Sequence, residues 1–433
     1  MKEGGVMRVF RLAVLLCVAA VLPVPARAAG DAVTAKEAPL VVPTYPAADP
    51  DPSPLFFEGR TYQGARGPIY PYPIIDKLFE TRQDRTYKAV WLENEYIRLC
   101  VLPEMGGRIF EAVDKTNGYN FFYRQHVIKP ALIGMLGAWI SGGVEWNIPH
   151  HHRASSFLPV AYRIEEGADG SKTIWVGEME LRHRMRWAMG LTLRPGKAYI
   201  EATMRLFNRT PVTNSFLYFA NVAVHTNANY QVIFPPSVQW ATQHSKVEFS
   251  NWPVSHQNYG SVDFSKGVDV SWYKNHPSPT SMFAFECKED FLAGYDHGKN
   301  AGTLHVADRG IMPGKKFFTW GNGGDGRTWD NLLTDTDGAY LELMVGGYSD
   351  NQPDYSWIQP YEVKTIREFW YPFREIGGVK NANLEAAVNL DVEKSSARIG
   401  AVTTADRPDA RVVVDVAGKQ VFERAVEITP AKP

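Results

Sequence analysis

Cysteine is scarce in this sequence: 433 residues contain three, Cys17, Cys100 and Cys287. No C-x-x-C pair occurs, which removes the strongest zinc and redox signals. Excess charge of either sign is also missing. The net charge is -1, a balance that argues against a nucleic-acid partner, which would need a concentrated basic surface. G-x-x-x-x-G-K-[ST] is absent, and GNGGDG at 321–326, the spacing G-x-G-x-x-G, reads as a loop and not as a strand-to-helix turn, so no nucleotide, nicotinamide or flavin cofactor is expected. Strong helical periodicity is rare. The apolar run Leu12–Leu22 is too short to span a bilayer and rest there.

That run does have a reading. Arg8 and Arg11 precede it and the small-x-small signal Ala26-Arg27-Ala28 follows, which marks residues 1–28 as a Sec-type signal peptide. Val14-Leu15-Leu16 before Cys17 are not the small residues of a lipoprotein site. The expectation is therefore a periplasmic or secreted protein with no membrane anchor after cleavage. Cys100 and Cys287 remain. An oxidising compartment permits a disulfide, but both lie in strand-like runs, where buried free thiols are at least as well supported.

What the chain does have is aromatic rings, 12% of residues with 12 Trp and 20 Tyr, and alternation of period two. Rings beyond core needs suggest a groove lined with flat faces. In residues 198–206, Ala198, Ile200, Ala202, Met204 and Leu206 share one face. Residues 174–187 alternate in the same way, with Trp175, Met179, Leu181, Met185 and Trp187 opposite Glu178, Glu180, Arg182, Arg184 and Arg186. Turn clusters such as EEGADGSK separate such runs, so the fold class expected is all-β, a large antiparallel protein. Residues 29–54, rich in Ala, Pro and Asp, read as a linker or surface arm. Residues 55–378 read as the main β domain. Residues 379–433 read as a small C-terminal β module, short for an immunoglobulin-type sandwich, and so either part of a module that continues in relatives or a minimal one.

Four stretches carry a resemblance: LENEYIRLCVLPEMGGRI, GAWISGGVEWNIPHHH, NRTPVTNSFLYFANVAVHTN and PGKKFFTWGNGGDGRTWDNLLTDTDGAYLELMVGG. Together they resemble the DUF5107 family within the galactose-mutarotase-like superfold. The resemblance implies a β-supersandwich over residues 55–375. It leaves activity open, because that superfold serves epimerases, glycosidases, lyases and non-catalytic sugar domains.

Several residues are candidates for chemistry. In GAYLELMVGG, alternation sets Leu341, Leu343 and Val345 on one face and Tyr340, Glu342 and Met344 on the other. The resemblance makes the second face the concave sugar-binding one. Aldose 1-epimerases of the superfold carry their base in an L-E-x-Q strand, and Leu341-Glu342 matches two of those positions, with Met344 in place of the Gln. A carboxylate beside Tyr340 in an aromatic groove tends toward a raised pKa, useful for proton transfer. The alternative is a surface Glu on a half-exposed strand. In FLYFANVAVHTN, Phe219, Asn221 and His225 share a face. Superfold epimerases place a catalytic His before the aromatic pair. His225 falls after it, so it is a groove residue without the acid's role, or a satisfied histidine at a strand end.

In SGGVEWNIPHHH, Gly142 and Gly143 would let backbone approach a ligand, followed by Glu145, Trp146 and Asn147. His150 and His152 share a face of an extended segment and His151 opposes them. No H-E-x-x-H is present, so imidazoles that bond sugar hydroxyls, or protonate a glycosidic oxygen, fit better than a metal site. The segment PGKKFFTWGNGGDGRTWD reads as a Gly-rich loop whose Trp320, Asn322, Asp325, Arg327, Trp329 and Asp330 form a cleft wall. Lys315 and Lys316 read as solvated. The Arg182, Arg184 and Arg186 face, shared with Glu178 and Glu180, reads as a salt-bridged exterior or a site for an acidic sugar.

The function expected is a carbohydrate-active enzyme that acts on an oligo- or polysaccharide. A glycoside hydrolase is the first reading, with Glu342 as base or nucleophile and Glu145 or His152 as acid. Trp146, Trp320 and Trp329 would stack on the sugar. Arg108, Asn147, His150, Asn221, His225 and Tyr340 would line the site as substrate-binding partners. A sugar epimerase with the same inventory and a non-catalytic sugar-binding domain are the alternatives.

Overall fold

The computed structural model describes residues 32–51, 71–133, 137–150 and 152–433. The expected signal peptide lies outside them. Two large antiparallel sheets dominate, as the alternation demands. The first runs in the order Thr34–Thr44, Gln83–Glu93, Ile97–Leu102, Arg108–Asp114, Val144–Asn147, Tyr218–His225, Tyr340–Gly347, Gly314–Thr319, Thr280–Phe285, Trp240–Thr242, Phe249–Asn251. The second runs Tyr230–Ile233, Phe291–Asp296, Ala301–Val306, Val363–Arg374, Ile200–Asn208, Met185–Leu193, Lys172–Met179, Ala161–Glu166. The chain is thus an all-β supersandwich. Its core lies between the sheets, where Trp146, Val222, Leu341 and Leu343 meet Trp187, Met204, Ile366 and Trp370. Burial of such side chains contributes roughly 1.5–3 kcal/mol each.

Four expectations need revision. Residues 34–44, read as a linker or arm, form the edge strand of the first sheet, in register with Gln83–Glu93 over its whole length. Pro39 and Pro43 lack a backbone N–H, which an edge strand tolerates and an interior one does not. Residues 174–187 are a hairpin, not one strand: Glu178 faces Trp187 across it. The Glu180 carboxylate closes the turn by accepting the backbone N–H groups of Arg182 at 2.8 Å and His183 at 2.6 Å. The turn resets the alternation. Ile174 and Val176 face the core, Trp175 lies on the outer face under Arg205, and Leu181 is exposed. The Gly-rich segment after Trp320 forms a helix, Gly324–Leu333, so GNGGDG does join a strand to a helix; that strand, Gly314–Thr319, is antiparallel to both neighbours, so the parallel βαβ unit of a dinucleotide site is not what surrounds it. Lys315 and Lys316, read as solvated, are both buried.

The C-terminal residues form a three-stranded sheet, Asn381–Ala382, Ala386–Glu393 and Ser396–Thr403, and a hairpin, Arg407–Val416 with Lys419–Ile428. Ala387 and Val402 pack with Phe291, Leu304, Tyr371 and Phe373 on the outer side of the second sheet. One outer face of the sandwich is therefore covered, which leaves the outer face of the first sheet for a site. Cys100 and Cys287 are both free. Among the described residues, no helix is long and apolar enough to cross a membrane.

Candidate active site

Three central strands of the first sheet set the site. Because residues alternate between faces, Val144, Trp146, Val222, Leu341 and Leu343 enter the core. Glu145, Asn147, Asn221, Tyr340 and Glu342 emerge on the opposite side. Register aligns them: Glu145 stands opposite Asn221, Asn147 opposite Phe219, Ala223 opposite Glu342 and His225 opposite Tyr340. On the next strand, Phe318 stands opposite Glu342 and Lys316 opposite Met344. Segments nearly 200 residues apart thus share one patch.

Asn147 Nδ2 donates to Asn221 Oδ1 at 2.8 Å, and Asn221 Nδ2 donates to Glu342 Oε2 at 3.0 Å. Trp139 Nε1 donates to Glu145 Oε2 at 3.0 Å. His152 Nδ1 lies 3.1 and 3.2 Å from the two Glu145 oxygens. Arg108 Nη1 donates to the Gly142 carbonyl at 2.8 Å. Lys316 Nζ donates to Gln352 Oε1 at 2.8 Å and lies over the Phe283 ring at 4.5 Å. Glu145 is 4% exposed and Glu342 6%. The side chain of His152, at 35%, is the most open member of the group.

The two carboxyls are driven in opposite directions. Burial raises the Glu342 pKa from its ordinary 4.5 to about 7; nearby Glu145 adds to this, while His152, Lys316 and Arg108 oppose it. Burial would also raise Glu145, but His152 in contact, then Arg108 and the Trp139 N–H, take it down to about 2. Burial would lower His152, yet the Glu145 carboxylate beside it prevails and raises it. Burial lowers the Lys316 ammonium, with Glu342 in partial opposition. One carboxyl is thus poised to hold a proton near neutrality, and the other is an anion clamped by an imidazolium.

The remaining candidates fall elsewhere. Trp146 is fully buried, with Nε1 on the Gly107 carbonyl at 2.8 Å, so it offers no face to a sugar. Its neighbour Glu145 is on the site face, and adjacent strand residues cannot share one. Gly143 has φ +60° and a Cβ there would lie 1.8 Å from the Ile109 carbonyl oxygen, so it serves strand approach rather than a ligand. His150 and His152 do not share a face: His150 pairs with Ser215 at 3.1 Å and packs 4.3 Å from the His183 ring. Trp320 and Trp329 stack on each other at 4.0 Å, so each occupies a face of the other. Trp320 Nε1 also donates to the Tyr340 hydroxyl at 3.0 Å, which ties that ring to the site wall. His225 accepts the Arg124 backbone N–H on Nε2 at 3.2 Å, and burial, with Lys299 nearby, lowers its pKa to about 4. It is neutral at neutral pH and borders an open polar cleft with Asn117, Asn120 and Lys299.

Sequence reasoning missed Lys316, Gln352 and Trp139. Lys316 alternates with the core-facing Phe317, and that parity was a usable signal. Nothing local marks Trp139 or Gln352 as partners.

The family model for a domain of unknown function, DUF5107, matches residues 65–373. That for the second domain of a YphG-like protein matches residues 381–433. Among solved structures, a TPR-domain containing protein from Parabacteroides distasonis superposes with TM-score 0.69 at 22% identity, over 79% of this chain and 56% of its own length. The chain therefore spans little more than half of that protein. A galactose mutarotase-like protein from Clostridium acetobutylicum is similar at TM-score 0.45 and 11% identity, over 67% of this chain and 96% of its own.

Proposed function

The chain belongs to the DUF5107 family, and from that premise and its buried acid–base cluster we propose a carbohydrate-active enzyme that cleaves a glycosidic bond. The observation that carries this reading is a pair of buried carboxyls on the two strands that flank Tyr218–His225, Glu145 clamped by His152 and Trp139 and Glu342 bonded to the Asn221 amide, surroundings that drive their pKa values apart. Pairs of carboxyls whose surroundings separate their pKa values mark acid and base assignments. Glu342 gives its proton to the leaving oxygen as the C1–O bond breaks. Glu145, held ionised by His152, faces the positive charge that develops at C1, either as nucleophile or as activator of water. This exchanges the roles read from sequence, where Glu342 was the base. Export through the N-terminal segment is part of the proposal.

A second reading has its own support. Both Glu145 oxygens are already engaged by Trp139 and His152. That favours His152 as proton donor to a ring oxygen and Glu342 as base at the C1 hydroxyl, which is sugar epimerisation. A glycoside panel with wild type and Glu342→Gln, run beside a mutarotation assay, tests both. Bond cleavage abolished in the variant supports the hydrolase. Faster anomer exchange without cleavage supports the epimerase. Sugar binding with neither activity refutes both.

A further inference from the structure

Arg108 is 2% exposed, and one of its three nitrogens, Nη1, is bonded to the Gly142 carbonyl. Nε and Nη2 are buried and have no hydrogen-bond partner among the described residues. These two N–H groups are neighbours on one edge of the guanidinium. They form the side-on fork that donates to both oxygens of a planar carboxylate. Among the described residues, no carboxylate takes that position: Glu145 is engaged by Trp139 and His152, and Glu342 by Asn221. A buried guanidinium with an unbonded edge is costly to keep, and a ligand that fills it recovers the loss.

The surrounding charge agrees. Arg108 and His152 are cationic, Glu145 is held ionised beside them, and Lys316 and Glu342 offset each other near neutrality, so Arg108 is the charge without a counterpart. A neutral hexose would leave this surplus unbalanced. A sugar that bears a carboxylate would balance it, and the Arg108 edge would fix its orientation.

We infer that the substrate residue is a hexuronic acid, with its carboxylate held side-on by Nε and Nη2 of Arg108. This rests on the proposed sugar chemistry for the substrate class, but its readout is binding, not turnover. Guanidinium recognition also separates it from simple hydroxyl binding, since a hydroxyl fills one of the two donors only.

Calorimetry with methyl glucuronide and methyl galacturonide against the matched neutral methyl hexosides tests the inference, in wild type and in Arg108→Lys. Lysine keeps the charge and loses the fork. At least one hexuronide is expected to bind roughly tenfold or more tighter than its neutral partner, and Arg108→Lys is expected to remove most of that ratio. Equal affinity, or a preference for the neutral sugar, overturns the inference. So does a preference that persists unchanged in Arg108→Lys, or inorganic sulfate or phosphate that competes as well as the hexuronide. Should Arg108→Lys fail to fold, the wild-type ratio and the anion competition still decide. Hexuronide preference without any turnover would sink the enzyme and leave this inference standing. Turnover of neutral glycosides alone would do the reverse.

Discussion

Asn221 donates its amide N–H to Glu342 across 3.0 Å, from the neighbouring strand. Its own carbonyl accepts from Asn147, which fixes the amide so that NH2, not oxygen, points at the carboxyl. A donor of this kind favours the ionised carboxylate. Asn221→Ala therefore raises the Glu342 pKa further above about 7. NMR titration of labelled glutamate carboxyls would read this directly. Asn147→Ala should move it the same way by less, because Asn147 acts through Asn221. An unmoved Glu342 resonance in Asn221→Ala would show that the bond has no electrostatic weight.

The two acidic groups give stability opposite pH dependences. Glu145 is depressed to about 2 from 4.5, so its contribution is complete above 4.5 and is lost as pH falls toward about 2. Glu342 is raised to about 7, so its contribution is complete below 4.5 and is lost as pH rises through about 7. Glu342→Gln removes only the second effect. The melting temperature of the variant, relative to wild type, should climb by a few degrees between pH 4.5 and 7 and then level off. Calorimetric scans from pH 4 to 9 would check this, and a gap that is flat across the range would contradict it.

Period-two alternation made the strand Tyr340–Gly347 legible, because its apolar set is pinned against a second sheet. The same logic placed Asn221 and Glu342 on one face without their contact being visible. The hairpin at Glu180–Arg184 was hidden because its turn carries no Gly or Pro and Leu181 continues the apolar alternation; Arg184 takes φ +56° unannounced. The helix Gly324–Leu333 was masked by the glycines at its start. Trp146 was a parity error: with Glu145 on the site face, its neighbour had to enter the core. Proximity between Glu145, His152 and Trp139 depends on chain reversal, which no local pattern records.

Trp146 supplies a separate test. Its indole N–H bonds the buried Gly107 carbonyl. Trp146→Phe leaves that carbonyl unbonded and a small void, a loss of about 1–3 kcal/mol. Chemical denaturation should show that loss while sugar affinity in the folded variant stays within about twofold. A large affinity loss at unchanged stability would instead put this ring in contact with the sugar.

Lys316 distinguishes the two chemical readings. Its ammonium is buried between Phe219 and Phe283 and opposes the rise of the Glu342 pKa. Lys316→Met removes that charge in favour of an apolar side chain of similar length, so Glu342 titrates higher. Stability should not fall much at neutral pH, because the buried ammonium is itself disfavoured there by desolvation. If Glu342 is the acid, activity is lost when it ionises, and the alkaline limb of kcat/KM moves up by about one pH unit. If Glu342 is the base, activity requires the carboxylate, and the acidic limb moves up instead, which lowers the rate at pH 6. Limbs that stay fixed, with Glu342 shown by NMR to have shifted, would remove Glu342 from the proton transfer altogether.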